Sequence, residues 1–439
     1  MALSNESDSV LRVYGMSGEI VASLGAEERA ALGTEFGNSV GALKELLQLR
    51  LGTPRFRIRL LCRGCLLEND ECMFAWDFPK DVQVVFVPMR AATEDERGQM
   101  FHAIRTSSSN QVEALLHAPL DPDSMSNQLG QTALIHAAPA SSAACVRPLL
   151  EARAGLDRTD RLGGSAVLYA ADRAHVEVLQ LLLEARADAN NGETHRKNRP
   201  PLLHASGSGK AEVVQMLLQA GADRTKVNRR GQSALWCAAA GGHLNTLQLL
   251  LEARSEVDQA DVDGTTPLTA AVSGGHAQVV SALLIAGARF ESSLLVAPCH
   301  QGFVEVAAEL LAARCATDCL NENGHSPMTA ACLSGKPEVL QVLLAAGASR
   351  DDFDRWGNSP LSTACKAGHV EVVRYLLESD VDPDLLDRSG VSPYRKISNL
   401  WRKTEGHWII QRLLRDAGAI SSKRQRSCPA RANTSPEKK

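Results

Sequence analysis

A short signature, Gly-x-(Thr/Ser)-(Pro/Ala)-Leu with close variants, recurs along this chain. It reads GQTAL at Gly130, GGSAV at Gly163, GQSAL at Gly231, GTTPL at Gly264, GHSPM at Gly324, GNSPL at Gly357 and GVSPY at Gly390. The pairs 130 and 163, 231 and 264, and 324 and 357 are each separated by 33 residues. The gap from 163 to 231 accommodates a degraded copy at Asn198 (NRPPL), and that from 264 to 324 a shortened one near Glu291 (ESSLL). A period of this size restricts the chain to an array of like units, each covering its neighbour's apolar face.

The copy at Gly357, GNSPLSTACKAGHVEVVRYLLESDVDPDLLD, shows what one unit does. Ser359 is placed to accept a hydrogen bond from a free backbone N–H, and Pro360 falls at the first helical position, where it wastes no donor. A short helix follows. Gly368 and His369 make a turn, after which Val370, Val373, Leu376 and Leu377 recur at the spacing of one helical face. Two helices this short are unstable alone, so their burial has to come from adjacent copies.

The stretches DRWGNSPLSTACKAGHVEVVRYLLE and NRRGQSALWCAAAGGHLNTLQLLLEA resemble the ankyrin repeat, over about residues 93–420. The resemblance implies an all-α solenoid: an N-terminal capping repeat over 93–129, eight repeats over 130–389 and a C-terminal capping repeat over 390–420. Two departures carry expectations. The His that usually follows the (Thr/Ser)-Pro-Leu stretch is replaced by Ile135, Leu168, Leu203, Trp236, Thr269, Thr329 and Ser362, so its bracing hydrogen bonds should be missing. The Gly that ends the second helix is Arg153, Arg186, Arg254 or Arg314 in four copies, and a left-handed Arg there should soften those loops.

Before Thr93 the period changes. SVLRVYGMSGEIVASL, residues 9–24, reads as two strands joined at Ser17-Gly18, and Val40, Leu43, Leu46 and Leu47 mark one face of a helix ending near Gly52. Strands over 58–62 and 82–87 complete an α+β domain. That order, with VGALKELLQLRLGTPRFRIRLLCRGCLLENDECMF, resembles ubiquitin-like (β-grasp) domains over 9–89, after a disordered leader at 1–8. Carried over residue by residue, the family's partner-binding patch falls on Met16, Leu61 and Val85. The domain runs on through FVPMRAATEDER without paired glycines to process, so an integral docking domain is expected rather than a conjugated modifier.

Composition adds exclusions. In 439 residues, 47 basic side chains against 51 acidic ones give −4, too near neutral for overall charge to select nucleic acid or an anionic membrane. Eleven cysteines without framework spacing point to free thiols in a reducing compartment, and no run suits a membrane span. The expectation is a monomeric cytoplasmic protein; KRQR in the basic, disordered tail at 421–439 makes the nucleus the alternative. No catalytic domain fits beside the two regions, so neither enzyme activity nor a cofactor is expected. Gly207-Ser208-Gly209-Lys210 lacks the spacing and the Ser/Thr of a phosphate loop, and Cys62, Cys65 and Cys72 lack a fourth metal ligand. His175, His243, His276 and His369 occupy one slot per repeat and read as turn braces.

A solenoid binds through its hairpin tips and the exposed positions of its first helices. In the copies at 163, 198 and 231 these hold Arg161, Arg173, Arg196, Lys197, Arg199, Arg229 and Arg230 against Asp172, while the copies at 264 and 324 hold Asp263 and Glu322. The expected function is a non-enzymatic adaptor whose basic stripe captures an acidic or phosphorylated protein segment, with Trp356 as a second anchor. The alternative is a ubiquitin-pathway adaptor working through Met16, Leu61 and Val85. Nucleic acid is disfavoured, because the stripe lacks aromatics to stack on bases.

Overall fold

The computed structural model describes residues 11–15, 19–24, 39–62, 65–69, 81–118, 120–192, 200–400 and 404–419. Met16, Arg196, Lys197, Arg199, Cys72, the leader and the tail lie outside the described residues. The chain forms two compact units, residues 1–205 with 210–229, and residues 206–209 with 230–439.

The first unit opens with five strands: β1 (Leu11–Tyr14), β2 (Ile20–Leu24), β3 (Ile58–Cys62), β4 (Cys65–Leu66) and β5 (Asp81–Phe86). Their order is β2-β1-β5-β3-β4, with β1 parallel to β5 and the other pairs antiparallel. Helix α1 (Val40–Leu51) starts where the Ser39 side chain accepts from Ala42 N and stops at Gly52, whose φ of 62° needs no Cβ. Its Val40, Leu43 and Leu47 pack with Leu11, Val13, Ile58, Leu60, Val82 and Val84 in one apolar core. This small mixed sheet with one helix is compatible with a β-grasp.

The same unit continues into helical hairpins: Glu94–Arg105 with Ser109–His117, Ala133–Ala137 with Ala143–Glu151, and Ala166–Arg173 with Val176–Glu184. Phe56 and Arg55 join the sheet domain to the first two. The Arg55 guanidinium, 16% exposed, reaches Glu113 Oε1 at 2.6 Å, Glu151 Oε2 at 2.8 Å and Glu45 Oε1 at 3.1 Å. Arg59 Nη2 donates to the His117 carbonyl at 2.6 Å, and the Phe56 ring meets His117 edge-on with centroids 5.4 Å apart.

In the second unit the hairpins are Ala234–Ala240 with Leu244–Glu252, Pro267–Gly274 with Ala277–Ile285, Val296–Gln301 with Val304–Ala312, Pro327–Ser334 with Pro337–Ala345, and Pro360–Ala367 with Val370–Glu378. Pro393–Ser398 and Glu405–Asp416 close it. Ser233, Thr266, Ser326, Ser359 and Ser392 each cap a first helix by accepting from the N–H three residues on.

Two expectations concern the turns. Arg153, Arg186, Arg254 and Arg314 all adopt left-handed backbone, with φ of 60 to 68°, and Asp380 does the same after Val370–Glu378 at 59°. The missing-brace expectation fails in four copies. Thr269 Oγ1 lies 3.0 Å from Thr266 Oγ1, Thr329 and Ser362 donate to the carbonyls of Ser326 and Ser359, and Trp236 Nε1 donates to Thr265 O at 3.0 Å. Each substitute carries a donor within reach of a hairpin oxygen. Ile135, Leu168 and Leu203 instead fill buried apolar positions.

Candidate protein-binding surface

What an array of this kind presents depends on how firmly its hairpin tips are held. An acid or amide three residues ahead of the signature glycine folds the tip on itself at Gly130, Gly163, Gly264, Gly324, Gly357 and Gly390. Asp160 Oδ1 accepts from Leu162 N and Gly164 N at 2.9 and 2.8 Å, and Asp387 Oδ1 accepts from Ser389 N and Val391 N at 2.9 and 2.8 Å. Asn321 and Asp354 do the same for His325 N and Asn358 N. Successive tips are then tied backbone to backbone: Arg161 N to Leu129 O, Val262 N to Arg230 O, Arg355 N to Gly324 O and Arg388 N to Gly357 O, at 2.8–3.0 Å. An added Cβ would strike Arg355 at Gly324 and Arg388 at Gly357 and would press on Arg161 at Gly130, so the arginine stems lie against those glycines. Such glycines permit both the positive φ and the close approach.

The turns are braced on the other side. His175 Nε2 lies 3.0 Å from Pro139 O, His243 3.3 Å from Gly207 O, His276 3.1 Å from Ala240 O and His369 3.1 Å from Leu333 O. The four histidines therefore bind the end of the preceding first helix, as their slot predicts. His407 does the same to Lys366 O at 3.1 Å. In the first unit Lys210 holds this slot and donates to the carbonyls of Asp172 and Ala171. That contact, with a cation at a helix C-terminus, gives the GSGK stretch a structural role.

On this frame Arg161, Arg173, Arg229 and Arg230 are all exposed. Arg173 Nε lies 3.8 Å from Asp172 Oδ2, a carboxylate that also faces His204 Nδ1 at 3.2 Å. Arg161 and Arg229 have no carboxylate partner among the described residues. Asp263 and Glu322 are exposed as well, but Arg355 of the following copy reaches over to the Glu322 carbonyl at 3.3 Å. Counting charges copy by copy misses that crossing.

Trp356 is 57% exposed at its tip, and its ring rests on His325 with centroids 4.9 Å apart. A hollow of about 690 Å³ lies on one side, lined by His300, Asn321, Glu322 and Arg355 among others, and one of about 640 Å³ on the other, lined by Asp354, Asn358, Thr363 and Lys366. Leu61 and Val85 are half-buried on the sheet. Arg59 is paired with Val85 in register, so the face that carries them is also the face from which Arg59 reaches His117.

No group of three or more His, Cys, Asp or Glu among the described residues is placed to hold a metal ion, and no described helix is long and apolar enough to cross a membrane. The nine cysteines among the described residues are free thiols. Cys315 and Cys319 both donate to Ser292 O, at 3.4 and 3.0 Å, and burial pushes Cys319 up to about 11, which suppresses the thiolate.

Comparison with protein-family models agrees with this geometry. The family model described as "Ankyrin repeats (3 copies)" matches residues 100–193, 202–293 and 294–387, well over half of the chain. Among solved structures the chain is similar to the human ASB11 ankyrin repeat domain, at 28% identity and a TM-score of 0.45, covering 49% of this chain and 98% of that one. No curated protein matches. Ankyrin repeats are generally non-enzymatic modules that bind protein partners. With seven signature glycines, tied tips and braced turns accounted for, this chain belongs to the ankyrin-repeat family.

Proposed function

We propose that the chain is a non-enzymatic adaptor that captures an acidic or phosphorylated protein segment on the hairpin tips and first helices of its repeats. The observation that carries this reading is the exposure of Arg161, Arg173 and Arg229 in the first unit, where Arg161 sits on a tip tied through its own N–H to Leu129 O. Arginine forks presented this way pair bidentately with carboxylate or phosphate, and a rigid mount limits the entropy lost on binding. Arg196, Lys197 and Arg199 belong to the same stripe by phase. Monomeric action in the cytoplasm completes the proposal, with the nucleus, addressed by KRQR, as the alternative. Charge reversal of Arg161, Arg173, Arg229 and Arg230 to Glu is expected to abolish capture of the partner identified by crosslinking pull-down. Undiminished capture of that partner refutes the stripe.

The strand order favours a second reading, in which the N-terminal domain is ubiquitin-like and recruits ligase or proteasome components through Met16, Leu61 and Val85. Loss of those components on mutating Leu61 and Val85 supports it, and their absence from the intact chain's partners removes it.

A further inference from the structure

Resting on the reading of the repeats as a protein-capturing surface, we infer that Trp356 and the cations around it form a separate docking site. Its occupant is a linear peptide segment in which a large apolar residue is flanked by Asp or Glu. Trp356 is one of the exposed large apolar side chains of the second unit, and it sits on a tip fixed by Asp354 and by the Arg355 and Arg388 backbone bonds. Trp236 spends its indole N–H on Thr265 O, whereas the indole N–H of Trp356 has no acceptor among the described residues. His325 supports part of the ring and leaves the rest against the two hollows. An anchored, half-open indole between concavities is the arrangement that concentrates binding energy at protein interfaces.

Charge chooses among occupants. Arg355, Arg388 and Lys366 are exposed, and none has a carboxylate partner among the described residues. Asp354 is buried, and its two oxygens accept from Asn358 N and Nδ2, each at 2.7 Å. Glu322 is the one exposed carboxylate lining the hollows. A basic segment would meet three cations, and a purely apolar one would leave them uncompensated; carboxylates beside an apolar anchor satisfy both the ring and the cations.

The test pans a phage-displayed library of random linear peptides on the intact chain and measures the enriched peptides by fluorescence anisotropy. Enrichment of peptides with Trp, Phe or Leu next to Asp or Glu is expected. Their Kd should rise at least about tenfold for W356A and for K366E, rise less for W356F, which keeps an aromatic ring but loses the indole N–H, and be unmoved by R161E with R173E. Thermal melts of each variant check the fold, and K366E alters only an exposed side chain. Enriched peptides that bind W356A and K366E within about twofold of the parent, that carry no acidic preference, or that lose binding only to the Arg161 and Arg173 reversals overturn the site. So does a failure to enrich any peptide. The last of the three peptide outcomes leaves the basic stripe standing, and a loss confined to Trp356 and Lys366 leaves this site standing without it.

Discussion

Replacing Arg254 by glycine should relieve strain that the structure makes measurable. The loop after Leu244–Glu252 closes with Arg254 N to Leu251 O at 2.8 Å and Ser255 N to Leu250 O at 3.0 Å. One copy later, Gly287 N to Leu284 O and Ala288 N to Leu283 O close the same loop, both at 3.0 Å. The two caps therefore share their hydrogen bonds and differ in the side chain carried at positive φ, 60° for Arg254 and 86° for Gly287. A left-handed non-glycine residue costs about 1–2 kcal/mol, and glycine gives back about 0.4–1 kcal/mol through the entropy of the unfolded chain. R254G should thus be about 0.5–1 kcal/mol more stable than R254A, the comparison that removes the arginine charge from both sides. The reciprocal change, G287A, should lose about as much, because its new Cβ meets no atom within 4 Å and only the backbone strain is added. Urea denaturation gives the global values, and hydrogen exchange gives the local ones. Amides following Arg254 and Arg314 should exchange about fivefold faster than those following Gly287 and Gly347, the ratio that corresponds to about 1 kcal/mol. Equal stability of R254G and R254A, or equal protection of the two loop classes, would refute the reasoning.

Three other outcomes are expected. Lys396 Nζ lies 2.8 Å from the buried Asp387 Oδ2 and also reaches Asn358 and Ser362, so K396M strands a buried carboxylate and should cost about 3 kcal/mol by denaturant melt; a loss below about 1 kcal/mol contradicts the pairing. R55A removes the guanidinium shared by Glu45, Glu113 and Glu151, and faster exchange across Glu94–His117 should follow, while salt should weaken the parent more than the variant. Burial holds the His117 imidazole below its ordinary range, with Arg55, Lys44 and Arg59 adding to the effect and Glu113 opposing it. The folded pKa lies below the unfolded one, so this stability is present above about pH 6.5 and is lost as acid protonates the unfolded chain preferentially. The first unit's melting temperature should fall between about pH 7.5 and 5.5, and less steeply in H117Q.

Much of this was legible in the sequence because the repeat writes local chemistry at fixed places. Ser or Thr at the cap, Pro at the first helical position and Gly at the tip each act within a few residues, so Ser359, Pro360 and Gly357 announce their roles. The histidine slot reads the same way until His407, which follows Gly390 by 17 residues where His369 follows Gly357 by 12, and that longer spacing hides the fifth brace. Asp380 adopts left-handed backbone where the other second-helix caps carry Gly or Arg, and Asp is among the few side chains that tolerate it. The Arg55 cluster was not legible at all, because its carboxylates lie up to 96 residues away and only the folded unit brings them together. The same holds at the tips. Arg355 crosses to Glu322 of the preceding copy, a contact that the composition of either copy alone conceals.

Capture of another polypeptide by the hairpin tips is tested most directly by site-specific photocrosslinking in cells expressing the intact chain. A photoreactive phenylalanine at position 161, 229 or 356 should give crosslinks to a second protein, while the same residue at 186 or 254, on the loops that follow the second helices, should give none. Crosslinks arising from 186 and 254 but not from the tips would contradict the account.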